Sequence, residues 1–199
     1  MTRSQKVASL AFLVPSVTLA AWIAYHETRI PQNQGEVLNR MIELQKEGRY
    51  DRAAEVVQKW MEDGRRNIAN DDFMYGQIAM VYIIKAYKRP GSREDSVQRA
   101  QDHLDRELNS FEQKNHGEVS VELFEIGGGY EILGDLSDQG KCHFYEKARQ
   151  AFLQQLPLIT EDSYTAYGKT ILLEPVRGDV RKHLDSVNEK SSKAGCQLH

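Results

Sequence analysis

An uncharged run from Val7 to Tyr25 opens a chain whose remainder mixes apolar and polar positions at short intervals. As a helix rising ~1.5 Å per residue it would reach ~28 Å, close to the thickness of a bilayer core. Arg3 and Lys6 precede the run, and Trp22 and Tyr25 stand at its far end, where amphipathic rings favour the headgroup level. The pattern predicts a single membrane-spanning segment within residues 1–30, with the body sent to the non-cytoplasmic side, periplasmic or lumenal. A cleavable secretory signal, with a small-residue site at Thr18-Leu19-Ala20, is the alternative, and it would release the body as a secreted protein. Residues 31–35, with Pro31, Asn33 and Gly35, read as a linker.

Beyond the linker the apolar positions keep helical spacing. A cluster at i, i+1 and i+4, as in Ile78, Ala79 and Tyr82, is followed by a stripe at i, i+4 and i+8, as in Ala100, Leu104 and Leu108. Both patterns return further along at one common offset, as Ile126, Gly127 and Tyr130 and then Ala148, Phe152 and Leu156. A constant offset of unlike residues signals stacked supersecondary units. No stretch after residue 30 is dense in β-branched residues with period-two alternation, so little or no sheet is expected.

Composition narrows the class of function. The chain is 40% hydrophobic and 28% charged, as a globular protein is, with a net charge of −3 that provides no field for nucleic acid or an anionic surface. No Asn stands in an Asn-x-Ser/Thr context. The histidines are scattered without metal-ligand spacing, and read as solvated surface; no nucleophile signature is present. Gly127-Gly128-Gly129 lacks the Gly-Lys-Ser/Thr of a phosphate loop and reads as close helix packing that leaves its helix soft. Neither cofactor nor metal nor catalysis is expected.

Gly48-Arg49-Tyr50-Asp51-Arg52-Ala53-Ala54 resembles the inter-helix turn and second-helix start of the tetratricopeptide repeat family, and Phe144 to Phe152 resembles the same second helix. In that family a helix-turn-helix repeat of about 34 residues places small residues where its helices touch. Ala79, Gly127 and Gly168 match one small position, and Ala53, Ala100 and Ala148 the facing one. The resemblance implies an all-α, right-handed solenoid over residues 36–193, in four units of about 34–67, 68–115, 116–158 and 159–193, ahead of a tail at 194–199. Met41 and Trp60 depart from the small positions in the first unit. Loops around Lys88–Asp95 and Asp135–Lys141 lengthen the second and third. The fourth is degenerate, matching through Tyr164, Tyr167, Gly168 and Ile171 and then Val180, Leu184 and Val187.

The resemblance also implies a binding face, since the first helix of each unit lines a concave groove in the family. Here that face carries Leu38 and Ile42, then Phe73, Gly76, Met80 and Ile83, then Val121, Phe124 and Ile132. The Lys/Asn/Arg clamp of the family's chaperone-tail subgroup is absent, the corresponding places holding Leu38, Ile42, Gln77 and Glu125. The expectation is a membrane-tethered scaffold binding a protein partner, a peptide or helix, in an apolar groove. A structural subunit held permanently in a membrane or envelope complex is the alternative in a different class, and an enzyme the more distant one.

Cys142 and Cys196 are the only cysteines. If Cys142 opens the second helix of unit three and Cys196 follows the second helix of unit four, parallel second helices of ~15 residues hold them ~20 Å apart, beyond the ~7 Å limit of a bridge. They are therefore expected not to pair. A last helix folded back antiparallel would reverse that expectation.

Overall fold

The computed structural model describes residues 31, 33–63, 71–113, 122–159, 163–166 and 169–197. They form seven α-helices and one two-stranded antiparallel hairpin, so the described residues are mostly helical. The helices are α1 (Gln34–Lys46), α2 (Tyr50–Glu62), α3 (Asp71–Lys88), α4 (Arg93–Gln113), α5 (Glu122–Leu136), α6 (Lys141–Gln155) and α7 (Glu174–Lys193). The hairpin strands β1 (Ser163–Ala166) and β2 (Lys169–Leu172) stand between α6 and α7.

Three helix pairs, α1 with α2, α3 with α4 and α5 with α6, account for most of the packing. Local chemistry sets their turns. Asn33 caps α1 by accepting a hydrogen bond from the Glu36 N–H at 2.9 Å. At the other end Gly48, with φ of 73°, reverses the chain in a Schellman turn, where its N–H bonds to Gln45 O and that of Arg49 to Leu44 O. Only Arg89 and a 3₁₀ turn, Pro90–Ser92, separate α3 from α4, and the short stretch Ser137 to Gly140 separates α5 from α6. The long loops expected around Lys88–Asp95 and Asp135–Lys141 are thus shorter than anticipated, because helix absorbs their ends.

The core lies in the seams the apolar stripes predict. Ala53, Ala79, Ala100 and Ala148 are fully buried, and a Cβ on Gly127 would stand 2.6 Å from Phe152 Cε1. Such crossings tolerate little side chain. Positions related by the common offset share their burial: Ile78 with Ile126, Tyr82 with Tyr130, Leu104 with Phe152. Met41 and Trp60 are buried in the first pair. Adjacent pairs meet through α2 with α3, α4 with α5, and α3 with α5. Lys85, almost wholly buried, reaches Asp51 at 2.7 Å across the first of these junctions.

The C-terminal part corrects three expectations. Where the first helix of a fourth unit was expected, Ser163–Ala166 pairs with Lys169–Leu172, Ser163 opposite Leu172 and Ala166 opposite Lys169. These positions carry Thr, Ile and Tyr, which fit a pleated ribbon better than a helix. Only one helix follows, and its stripe holds: Val180 and Val187 are fully buried and Leu184 packs on the core. This α7 runs antiparallel to α6 and also touches α5. Cys142 and Cys196 are bonded, with Cα atoms 5.3 Å apart. A second Schellman turn, with Gly195 at φ of 73° and the Cys196 N–H on Ser191 O, aims Cys196 at the start of α6.

Among the described residues no helix is long and apolar enough to cross a membrane. Val7 to Tyr25 lies outside them.

Candidate functional site

A cavity of about 260 Å³ opens where α3 and α5 lie side by side over α4. From α3 come Gly76, Gln77 and Met80, and from α5 Phe124, Glu125, Gly128, Gly129 and Ile132; Leu104 and Glu107 of α4 close the foot. Met80 is 39% exposed and Ile132 37% exposed, both unusually open for large apolar side chains. The apolar walls and bare glycine backbone suit an apolar insert.

Four residues of the predicted face meet here: Gly76, Met80, Phe124 and Ile132. Leu38 and Ile42 lie apart on α1, Leu38 half-buried against the core and Ile42 42% exposed. Phe73 is half-buried against the core and does not line the cavity. Ile83 is a correction. It is buried, at 4% exposure, because three residues beyond Met80 it is turned about 60° toward the seam. Gly76 is buried too, with Glu107 Oε1 only 2.6 Å from where its Cβ would be. Val121 lies outside the described residues.

The lining residues Gln77, Leu104, Glu107, Glu125, Gly128 and Gly129 were not among those predicted. The glycine run was the signal for the last two glycines, and packing explains only part of it. A Cβ on Gly129 would meet Leu104 at 2.9 Å, whereas one on Gly128 would meet nothing within 4 Å among the described residues.

Beside the cavity, α7 is held to α5 by a buried carboxylate. Glu131, 6% exposed, accepts from Ser186 Oγ at 2.7 Å and Lys190 Nζ at 2.8 Å, and lies 2.7 Å from His183 Nδ1. Lys190 also reaches Asp135 at 2.6 Å, which takes the Tyr145 hydroxyl at 2.9 Å. Burial pushes the Glu131 carboxyl up, but the bonds from Lys190, His183 and Ser186 outweigh it and hold it below the ordinary carboxylate range. Burial, followed by Asp135, lifts the Tyr145 hydroxyl to about 12. A comparable cluster joins α4, α5 and α6, where Tyr130 and Lys147 both donate to Asp105. There too the hydrogen bonds overcome burial and lower the carboxyl.

Two histidines contact aromatic rings. His183, its side chain 40% exposed as expected of a surface position, stacks on Phe152 with ring centroids 5.3 Å apart and meets Phe124 edge-on at 5.1 Å. His103 stacks on Tyr75 and Tyr82, and burial, reinforced by Arg106, pushes it down to about 4. Neither has a companion set of metal ligands among the described residues.

A second hollow, about 460 Å³, lies between the start of α4 and the α5–α6 turn. Arg93, Glu94, Asp138 and His143 mix both charge signs there, and none of the predicted residues reaches it.

Compared with known proteins, the chain matches no family model, no curated protein and no solved structure.

Proposed function

We propose that the chain is a right-handed α-solenoid of tetratricopeptide-like helical hairpins, tethered to a membrane through Val7 to Tyr25, that binds a protein partner in the groove between α3 and α5 and performs no chemistry. The carrying observation is the apolar cavity in which Met80, Ile132 and Phe124 converge on bare glycine backbone. Three successive helix pairs with small residues at their crossings support the solenoid reading. The Cys142–Cys196 bond supports a body on the non-cytoplasmic side, since disulfides persist in oxidising compartments.

A permanent structural subunit is the second reading, favoured by apolar exposure outside the groove: Tyr87 at 70% and Leu153 at 43%. A photo-crosslinking residue placed at Met80 or Ile132 in native membranes tests both. A groove-binding module gives a discrete adduct from these positions and none from Leu153. A permanent subunit gives adducts from Leu153 as well and co-purifies with its partner in fixed ratio. Absence of any adduct at Met80 and Ile132 removes the groove as the binding site.

A further inference from the structure

The end of α7 is kept in place by its disulfide more than by packing. Val187 is the last of its apolar side chains to be buried in the core, and Asn188, Glu189, Ser192, Lys193 and Ala194 beyond it are exposed. Ser191 is fully buried, but its Oγ has no hydrogen-bond partner among the described residues, so docking it costs free energy. Lys190 ties this stretch to α5 through Glu131 and Asp135 from a half-buried side chain. Upstream the hold is different in kind: Val180 and Val187 are fully buried, Leu184 packs on the core, and His183 and Ser186 meet Glu131.

The two sulfurs stand in unlike surroundings. Cys142 is exposed and is the second residue of α6, behind a left-handed Gly140 that has no side chain to cap the helix. Phe144 is the first residue whose N–H bonds back into the turn, to Gly140 O at 3.2 Å, which leaves those of Lys141, Cys142 and His143 at the positive end of α6. No acidic residue occupies that first turn, and Lys141 adds a positive charge. Such surroundings favour a cysteine thiolate. The acids nearest in sequence are Asp138, exposed in the preceding turn, and Glu146, which Arg149 and Gln150 engage. Cys196 is half-buried just beyond the negative end of α7, its N–H on Ser191 O at 3.0 Å. The carbonyl end of a helix disfavours an anion, and Lys193 close by is taken up by Glu189.

We propose that the Cys142–Cys196 bond is a reversible redox latch, opened by a dithiol, on the end of α7 beyond Val187. One thiolate of the dithiol bonds to Cys196 Sγ, and the electron pair of the broken Sγ–Sγ bond leaves on Cys142 as its thiolate. The second thiol of the dithiol loses its proton to solvent, displaces Cys196 and closes the dithiol's own disulfide, and Cys196 takes up a proton. The dithiol is oxidised by two electrons and the protein's bond is reduced by two. Freed of the bond, the stretch from Asn188 onward lifts away and takes Lys190 from Glu131 and Asp135, while Val180, Leu184 and Val187 keep the rest of α7 docked. The latch is independent of what the groove binds.

The test uses the full chain in detergent with dithiothreitol as the dithiol, and reads amide hydrogen exchange by mass spectrometry. On reduction the amides of residues 188–197 are expected to exchange at least about tenfold faster while those of 174–187 and of α6 hold, and oxidised glutathione should restore the protection. A chain with Cys142→Ser and Cys196→Ser should show the open pattern without reductant. Alkylation of the reduced chain by iodoacetamide, followed from about pH 5 to about pH 9, should label Cys142 at least about one pH unit below Cys196. Lys141→Glu is expected to narrow that gap and slow opening by dithiothreitol several-fold while leaving the melt of the oxidised chain in place. Unchanged exchange at 188–197 would show that packing holds this end, and faster exchange throughout α7 or the whole chain would make the bond a fixed staple. Either result overturns the latch, as does failure to reclose. Equal labelling of the two cysteines, or indifference to Lys141→Glu, overturns the part assigned to Cys142.

Discussion

Cys142, in the first turn of α6, is bonded to Cys196, just beyond the end of α7, across a sequence separation of 54. The bond closes a loop containing the hairpin and the whole of α7, so it restricts the unfolded chain over that length. Replacing both cysteines with serine should cost roughly 2–4 kcal/mol. Melting with and without a dithiol reductant, alongside non-reducing peptide mass spectrometry, measures this; a reductant-insensitive melt would mean that the bond does not form in the folded protein.

Gly127 and Gly128 are neighbours with opposite constraints. Gly127→Ala drives a methyl into Phe152 and should destabilise by roughly 1–3 kcal/mol, whereas Gly128→Ala meets no neighbour among the described residues and should stabilise by about 1 kcal/mol. Thermal melts of the two variants are expected to move in opposite directions from the parent. A shift of the same sign would show that α5 lies differently against α6.

The carboxylate of Glu131 is the polar anchor between α5 and α7. Its removal in Glu131→Ala leaves Ser186 and Lys190 without a buried acceptor, at a cost of roughly 2–3 kcal/mol. Lys193→Ala, which breaks an exposed pair with Glu189, should leave the melt close to that of the parent. Because Glu131 and Asp105 both have lowered pKa values, their contribution is complete above the ordinary carboxylate range. It is lost as pH falls below about 4. Urea titrations across that range should show the acid-sensitive loss shrinking in the Glu131 variant.

His103 adds a second pH dependence. Its pKa falls from an ordinary 6.5 to about 4 in the folded chain, so the unfolded chain binds the extra proton between those values. The stability associated with neutral His103 is therefore complete above about pH 6.5 and declines as pH drops toward 4. His103→Phe, which keeps a ring beside Tyr75 and Tyr82, should flatten the denaturation midpoint over that interval. An unchanged slope would mean that the ring is already solvated.

Ala148→Leu should destabilise more than Met80→Ala. Ala148 is fully buried where α6 crosses its partner, and added bulk there costs roughly 1–3 kcal/mol, while Met80 is 39% exposed and leaves only part of its surface behind. Paired thermal melts rank them, and the reverse order would displace α6 from its assigned seam.

What the sequence determined by itself was local. The stripes Ala100, Leu104, Leu108 and Ala148, Phe152, Leu156 specify which side of a helix faces inward, because side-chain direction follows from the helical period and needs no partner to be stated. The same reasoning placed the stripe Val180, Leu184, Val187, while the resemblance to the tetratricopeptide repeat implied the small positions Ala53, Ala79 and Gly127 and a common face for Gly76, Met80, Phe124 and Ile132. Tertiary structure decided how far each face extends and which way each element runs. Ile83 stands less than one helical turn from Met80, and the rotation between them is too small for periodicity to separate groove from seam. His103 reads as surface until α4 sets it against Tyr75 and Tyr82 of α3. Reading Tyr164, Tyr167, Gly168 and Ile171 as a helix added one element too many, which reversed the expected direction of α7 and kept the cysteines apart. A short ribbon in place of that helix turns the last helix antiparallel to α6, and Cys142 and Cys196 then meet, since pairing depends on the direction of elements remote in sequence and not on any spacing within them.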